Sequence, residues 1–281
     1  MEIKKAIITA AGQNQRTLPL QTLVDRDGIT KSALVILIEE VLKAGVETLA
    51  VIVNPGDQNA LMNAAGEYRS RLTFIEQQDR RGYGHAVFCA REFCDESPFL
   101  LLVGDHLYVN QGVKNCAQQL IEVAKSETCM VSAVQSTPES KIIYYGTVGG
   151  RLCPGRQRHY QVENVIEKPT PTQAEQELIV PGLRTGYYLC FFGMHVLTSA
   201  VMEELDTVCK NAKSNDNIQL SPVLARLATR EKYLAYEIQG NRYDIGQKYG
   251  LFTAQLALAL AGQDRQEILA QLVEMLASRK D

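Results

Sequence analysis

The sequence predicts an α/β fold built on a mixed, mostly parallel sheet with helices on both faces. Two patterns predict it. Through the first half, short β-branched runs alternate with amphipathic helical stretches, the signature of βαβ units. The runs are apolar throughout rather than alternating, as strands covered on both faces are.

The elements follow in order. Lys5 to Ala11 (KAIITAA) reads as a buried strand, closed by the small residues Ala10, Ala11 and Gly12. Ala33 to Ala44 is an amphipathic helix ending at Gly45. Thr48–Val53 is the next buried strand, Leu61–Arg71 a helix and Leu72–Gln77 a third strand. His85–Phe93 is helical, and Phe99–Val103 is a fourth strand running into Gly104-Asp105. Val113–Ser126 is a helix and Cys129–Val134 a fifth strand. The second half changes character, with strands at Tyr144–Val148, Gln161–Glu167 and Thr185–Phe192 separated by turns. Leu152–His159 is a loop or hairpin tip. Helices follow at Val196–Asn211 and Leu220–Thr229, then a strand at Tyr233–Ile238 running into Gly240–Asp244. Two helices, Gln247–Leu260 and Asp264–Ser278, close the chain, their apolar stripes expected to pack on its own core.

A length of 281 residues suits one large α/β domain, 1–281, with insertions on the ligand side. A net charge of −3 gives no general attraction to nucleic acid or to an anionic membrane. Met1–Lys5 leads straight into a strand, so no signal peptide is expected, and no apolar run approaches a membrane span. The seven cysteines (Cys89, Cys94, Cys116, Cys129, Cys153, Cys190, Cys209) are odd in number and form no CxxC pair. They are expected to be reduced core residues of a cytoplasmic protein, with no zinc site.

Several residues could carry chemistry. In open α/β sheets ligands bind beyond the C-terminal strand ends. Ala10, Ala11 and Gly12 leave that edge open, and Arg16, four residues on, is a cation within reach of a phosphate held there. The plainer alternative is a core strand with an ordinary turn. Asp105 sits just past a buried strand, facing the same crevice, and Asp244 has a similar strand-to-helix setting. Two acids from distant parts of the chain meeting on one Mg²⁺ is a specific expectation. Either alone could equally be a turn former or helix cap. His106 is a ligand neighbour or a hydrogen-bonded edge residue. In Gln77–Ala86 (QQDRRGYGHA), the glycines let backbone approach a flat ligand, and Gln77 can both donate and accept at a base edge. Glu167-Lys168-Pro169 puts an acid for sugar hydroxyls beside a cation for phosphate, or a surface ion pair at a turn.

Taken together, the segments AAGQNQR (10–16), IEEVLKAGV (38–46), RRGYGHAVFCA (80–90), LLLVGD (100–105), YYGTV (144–148), VIEKP (165–169), TGYYL (185–189), NIQLSPVL (217–224) and RYDIG (242–246) resemble the sugar-1-phosphate nucleotidyltransferases. Within that family the nearest resemblance is to enzymes that join UTP to glucose 1-phosphate. The resemblance covers nearly the whole chain. It implies a Rossmann-like nucleotidyltransferase fold with a nucleotide-binding half (1–135), a sugar-phosphate half (136–246) and C-terminal helices (247–281). It implies UTP and glucose 1-phosphate as partners, Mg²⁺ as cofactor, and products UDP-glucose and pyrophosphate. Ala10, Ala11 and Gly12 would pack around the nucleotide, and Gln77 and Gly82 would read the uracil. Asp105 and Asp244 would hold Mg²⁺. Arg16 would draw on the β- and γ-phosphates. Gly146, Glu167 and Gly186 would meet the glucose, and Lys168 its phosphate. The family also suggests dimers or tetramers.

The chain departs from the family in its phosphate loop. The family reads GxGTR where Gly12-Gln13-Asn14-Gln15-Arg16 lacks the second glycine and the threonine. Asn14 tolerates positive φ and could keep the turn. The family's following phosphate-binding lysine has no counterpart in Leu20–Arg26, which leaves Lys31 or Arg26 as substitutes. The same chemistry with dTTP or another sugar 1-phosphate, or a non-catalytic regulator that binds nucleotide sugars, are the alternatives.

Overall fold

A computed structural model describes residues 1–12 and 16–278. Strand β1 (Lys5–Thr9) sets the architecture because both of its faces are buried. β2 (Thr22–Val24) and β3 (Thr30–Ser32) form a small hairpin before α1 (Ala33–Lys43), followed by β4 (Thr48–Val53). Next come α2 (Gln58–Ala64), β5 (Leu72–Glu76), the short helices α3 (Tyr83–Phe88) and α4 (Arg91–Cys94), and β6 (Phe99–Val103). β7 (His106–Val109), α5 (Cys116–Glu127), β8 (Met130–Pro138), β9 (Gly146–Leu152) and β10 (His159–Glu167) follow. The chain continues through α6 (Pro171–Glu177), β11 (Tyr187–Leu197), α7 (Ser199–Asn211), α8 (Ser221–Ala228), β12 (Tyr233–Glu237) and β13 (Asn241–Asp244). It ends with α9 (Gly250–Ala261) and α10 (Arg265–Ala277).

The main sheet runs β5-β4-β1-β6-β11-β8-β12-β10-β9. It is mixed, as expected, but parallel pairing does not dominate it. β1 pairs parallel with β4 and β6, as do β4 with β5 and β8 with β12. The β11 pairings with β6, β8 and β9, and those of β10 with β9 and β12, are antiparallel. The change follows the connections. Helical crossovers join the early strands, whereas β9 and β10 are joined directly by a hairpin tip at 153–158.

Apolar residues fill both faces. Ala6 and Ile8 of β1 point into a core shared with α1, α5 and α9. Ile7, one residue between them, joins the opposite core with α3, α7 and α8. Helix α1 starts where the Ser32 hydroxyl accepts from the Val35 N–H, at 3.1 Å. Asn115 and Gln118 make a reciprocal capping box on α5.

Several expected elements differ, among them the helix expected from Val196, whose first two residues belong to β11 because they pair with β6. The helix predicted over Leu61–Arg71 is α2 plus a separate 3₁₀ segment, broken at Gly66 with φ of +56°. His85–Phe93 is split between α3 and α4. The closing helices differ from each other: Ala254 and Leu258 of α9 are buried, but α10 buries none of its residues. Packed on α9 at the chain's end, α10 leaves Leu269, Val273, Met275 and Leu276 exposed.

Candidate active site

The C-terminal ends of β1, β5 and β6 open onto a cavity of about 660 Å³. Its floor is β1's end. The Gly104 N–H donates to the Thr9 carbonyl at 2.8 Å, and a Cβ on Gly104 would sit 2.5 Å from that oxygen. Only glycine lets the two strand ends come this close. Ala11 and Gly12 line the cavity, while Ala10 is buried beneath, its N–H donating to the Ile52 carbonyl.

One end of the cavity is built by the 77–86 turn. Gln77 is 3% exposed and lines it. Gly82 has φ of +98°, and a Cβ there would lie 2.0 Å from Asn217 Oδ1 and 2.6 Å from the Ile218 carbonyl. The segment 217–218 clamps the turn: Ile218 N–H donates to the Arg81 carbonyl and Gly84 N–H to the Ile218 carbonyl. A substitution at Gly82 would meet both backbone strain and this clamp.

The acids come from opposite sides of a two-stranded ribbon. β13 pairs antiparallel with β7, in register Asp244↔His106, and Ile245 N–H donates to the Asp105 carbonyl at 2.9 Å. Asp105, His106 and Asp244 thereby offer one ligand atom each, all within 4.8 Å of one another. His106 Nδ1 lies 2.8 Å from Asp105 Oδ1. Burial raises the Asp105 carboxyl, but His106 beside it and Lys168 outweigh burial and hold it below the usual carboxylate range. Asp244 Oδ1 accepts from Gly246 N–H, so it also caps the turn it begins. The turn-former reading of Asp244 is thus seen directly, while its side chain stays within reach of Asp105 and His106, just outside the cavity lining. The donor set of two carboxylates beside a cavity fits a hard divalent cation.

The far end holds Gly146, Glu167 and Lys168. A Cβ on Gly146 would meet the Phe191 ring at 2.6 Å and Glu167 Oε2 at 3.0 Å. Glu167 Oε2 accepts from the Ser221 hydroxyl at 2.5 Å. Lys168 sits at φ of +48°, a strained conformation for lysine of the sort that clusters at functional sites, with its N–H on the Tyr145 carbonyl.

Other expected residues lie elsewhere. Arg16 is exposed and forms a two-pronged pair with Asp57, its Nε 2.8 Å from Asp57 Oδ2, outside the cavity lining. The pair forms because Asp57 stands where the chain leaves β4, beside the turn that follows β1. Gly186 is also outside the lining. It occupies the exposed turn before β11, with φ of +76° and its carbonyl accepting from Glu139 N–H. Neither Lys31 nor Arg26 replaces the absent lysine. Lys31 is tied to Asp25, Asp27 and Glu39 at 2.9, 2.6 and 3.0 Å. Arg26 Nη1 is 3.4 Å from Asn110 Oδ1, and its side chain borders a separate cleft with Glu40. Gln13, Asn14 and Gln15, where the loop departs from the family, lie outside the described residues.

Sequence reasoning missed several lining residues. Arg80 adds a cation to the cavity lining. His195 lines the cavity with its ring bonded to Ser132 Oγ at 2.6 Å, and burial drives its pKa down to about 3, so it is neutral. Ser221 belongs to NIQLSPVL, but that segment carried no role beyond the resemblance. A bonded carboxylate across the cavity was the missing signal.

A mixed α/β sheet with a cavity over its strand ends, small residues at β1 and two metal-suited acids defines a nucleotide-phosphate-handling transferase. The chain belongs to the nucleotidyl transferase family, whose pattern it matches over residues 5–260. It is 26% identical to the UTP–glucose-1-phosphate uridylyltransferase of Bacillus subtilis (strain 168), across all of this chain and 99% of that protein. It is 28% identical to a second such enzyme of that organism, UTP–glucose-1-phosphate uridylyltransferase YngB, covering 98% of this chain and 96% of the relative. The solved structure of UDP-glucose pyrophosphorylase from Acinetobacter baumanii superposes with a TM-score of 0.75 at 23% identity, over 98% of this chain and 100% of that one. That likeness establishes the nucleotidyltransferase fold.

Proposed function

We propose that this chain transfers a uridylyl group from UTP to glucose 1-phosphate, giving UDP-glucose and pyrophosphate, as a Mg²⁺-dependent enzyme of the cytoplasm. The observation that carries the proposal is one cavity lined by Gln77 and Gly82, by Asp105 with Asp244 against it just outside the lining, and by Gly146, Glu167 and Lys168, a set that suits a base, a metal ion and a sugar phosphate in turn. The two Bacillus subtilis relatives, named for this reaction and similar end to end, support the choice of substrates.

The sugar phosphate oxygen attacks the α-phosphorus in line, a new P–O bond forms, and the bond to the departing pyrophosphate breaks. No group of the protein is bonded covalently, so positioning and charge neutralisation supply the rate. Glu167, held by Ser221, accepts from glucose hydroxyls, and Lys168 holds the attacking phosphate. Ala11 and Gly12 let the nucleotide lie on the strand ends. Arg16, once released from Asp57, draws on the β- and γ-phosphates. Asp105 and Asp244 would hold Mg²⁺, which when bound would neutralise phosphate charge.

Pyrophosphate release with Mg²⁺, across UTP, dTTP, CTP, ATP and GTP and several sugar 1-phosphates, tests this. Highest turnover with UTP and glucose 1-phosphate is expected. A different preferred pair keeps the chemistry and moves the specificity. Binding of UTP with no turnover on any pair would leave a nucleotide-sugar-binding regulator instead.

A further inference from the structure

The base-reading glutamine is not free to choose which end of its amide it presents. Gln77 Nε2 lies 3.1 Å from the Gly82 carbonyl and 3.1 Å from His85 Nδ1. A carbonyl oxygen only accepts, so the amide nitrogen must face Gly82. That carbonyl is itself held: it also accepts from the Ala86 N–H at 3.1 Å, and Ile218 bonds Arg81 and Gly84 around it. The second amide hydrogen then points to His85 Nδ1, which must offer a lone pair to receive it. With both hydrogens engaged, Oε1 is the atom left for the cavity.

We propose that His85 is a positioning residue for base selection: by accepting from Gln77 Nε2 it makes Gln77 present an acceptor, which suits the imide N–H of uracil or thymine and disfavours cytosine. Cytosine carries a lone pair where uracil carries that N–H, so Oε1 would face an acceptor. His85 does this from outside the cavity, since its ring does not line it. Cys89 Sγ approaches the same nitrogen at 3.9 Å, much farther than the amide at 3.1 Å and a weak donor, so the amide is the main partner of Nδ1. Burial, and then the nearby Arg81 charge, push the His85 pKa below its ordinary value, which keeps the ring neutral and its acceptor available. The base lies against Gln77 in the function proposed above, and the inference rests on that placement.

Equilibrium binding of UDP and CDP to the unmutated chain, H85F, H85L and H85Q tests it without requiring turnover. The unmutated protein should prefer UDP. H85F keeps the ring's bulk and removes the acceptor, and the preference should fall about tenfold, the worth of one orienting hydrogen bond. H85Q, whose carbonyl can accept from Gln77, should recover much of it. H85L is read as H85F is, should that variant not fold. Equal binding of UDP and CDP by the unmutated chain, or an undiminished UDP preference in folded H85F or H85L, would overturn the assignment. A UDP preference that depends on His85 in a protein without turnover would uphold it and reject the proposed enzyme activity.

Discussion

The Ser221 hydroxyl donates to Glu167 Oε2 at 2.5 Å, joining the first turn of α8 to the end of β10 across the cavity wall. Ser221 is buried, and the bond leaves Glu167 Oε1 as the oxygen available to a sugar hydroxyl. S221A should therefore loosen Glu167 rather than remove it. We expect KM for the sugar 1-phosphate to rise about three- to tenfold with a smaller change in kcat, since one orienting hydrogen bond is lost. Steady-state kinetics at saturating UTP measure this. An equal fall in kcat would place Ser221 in the chemical step.

The two acids of the β7–β13 ribbon should be needed for turnover but not for folding. D105N and D244N each are expected to lower kcat at least about a hundredfold and to move the Mg²⁺ dependence to higher concentration. Nucleotide binding without metal should change far less. Turnover surviving in both variants at ordinary Mg²⁺ would remove these residues from metal binding.

Asp57 holds Arg16 away from the cavity, and the guanidinium raises its hold by lowering the Asp57 pKa through their hydrogen bond. D57N should free the arginine and raise kcat/KM for UTP about threefold, while R16A lowers it. If D57N instead lowers kcat/KM as R16A does, the pair aims Arg16 rather than restrains it.

Glu40 lies buried under α5 and accepts from the Ala117 N–H at 2.9 Å. Burial dominates and raises its pKa to about 7. A carboxyl raised on folding favours the folded state when protonated. Its contribution is complete below the unfolded carboxyl's pKa and is lost as pH climbs to about 7. Relative to E40Q, the unmutated protein should lose up to about 3 kcal/mol of stability between pH 4.5 and 7. Denaturant unfolding of both proteins across that range measures the difference. Parallel stability curves would show that Glu40 stays ionised.

Replacing Gly82 tests the clamp. G82A meets positive φ and a Cβ 2.6 Å from the Ile218 carbonyl. We expect a loss of about 2 kcal/mol in stability and weaker UTP binding. Unchanged melting and affinity would show that the 217–218 segment yields easily.

Much of this was legible in the sequence where one local pattern decides the outcome. The bounds of β4 (Thr48–Val53) and β6 (Phe99–Val103) follow from continuous β-branched and leucine runs that can only be buried. Gly12, Gln77, Asp105, Gly146, Glu167 and Lys168 stand at strand ends and Gly82 caps the helix after β5, and all face one cavity because the strands share one sheet. What the sequence by itself determined is therefore the run of strands and helices and the residue types offered at their termini. Tertiary structure alone decided the rest. His106–Val109 becomes a strand only by pairing with Asn241–Asp244, a partner so far along the chain that neither segment announces it. Arg16 goes to Asp57, Lys31 to three acids, and Ser221 to Glu167, each partner chosen by proximity in space. A charge or hydroxyl takes the nearest complementary group, and nearness across the fold is not written in the spacing of the chain.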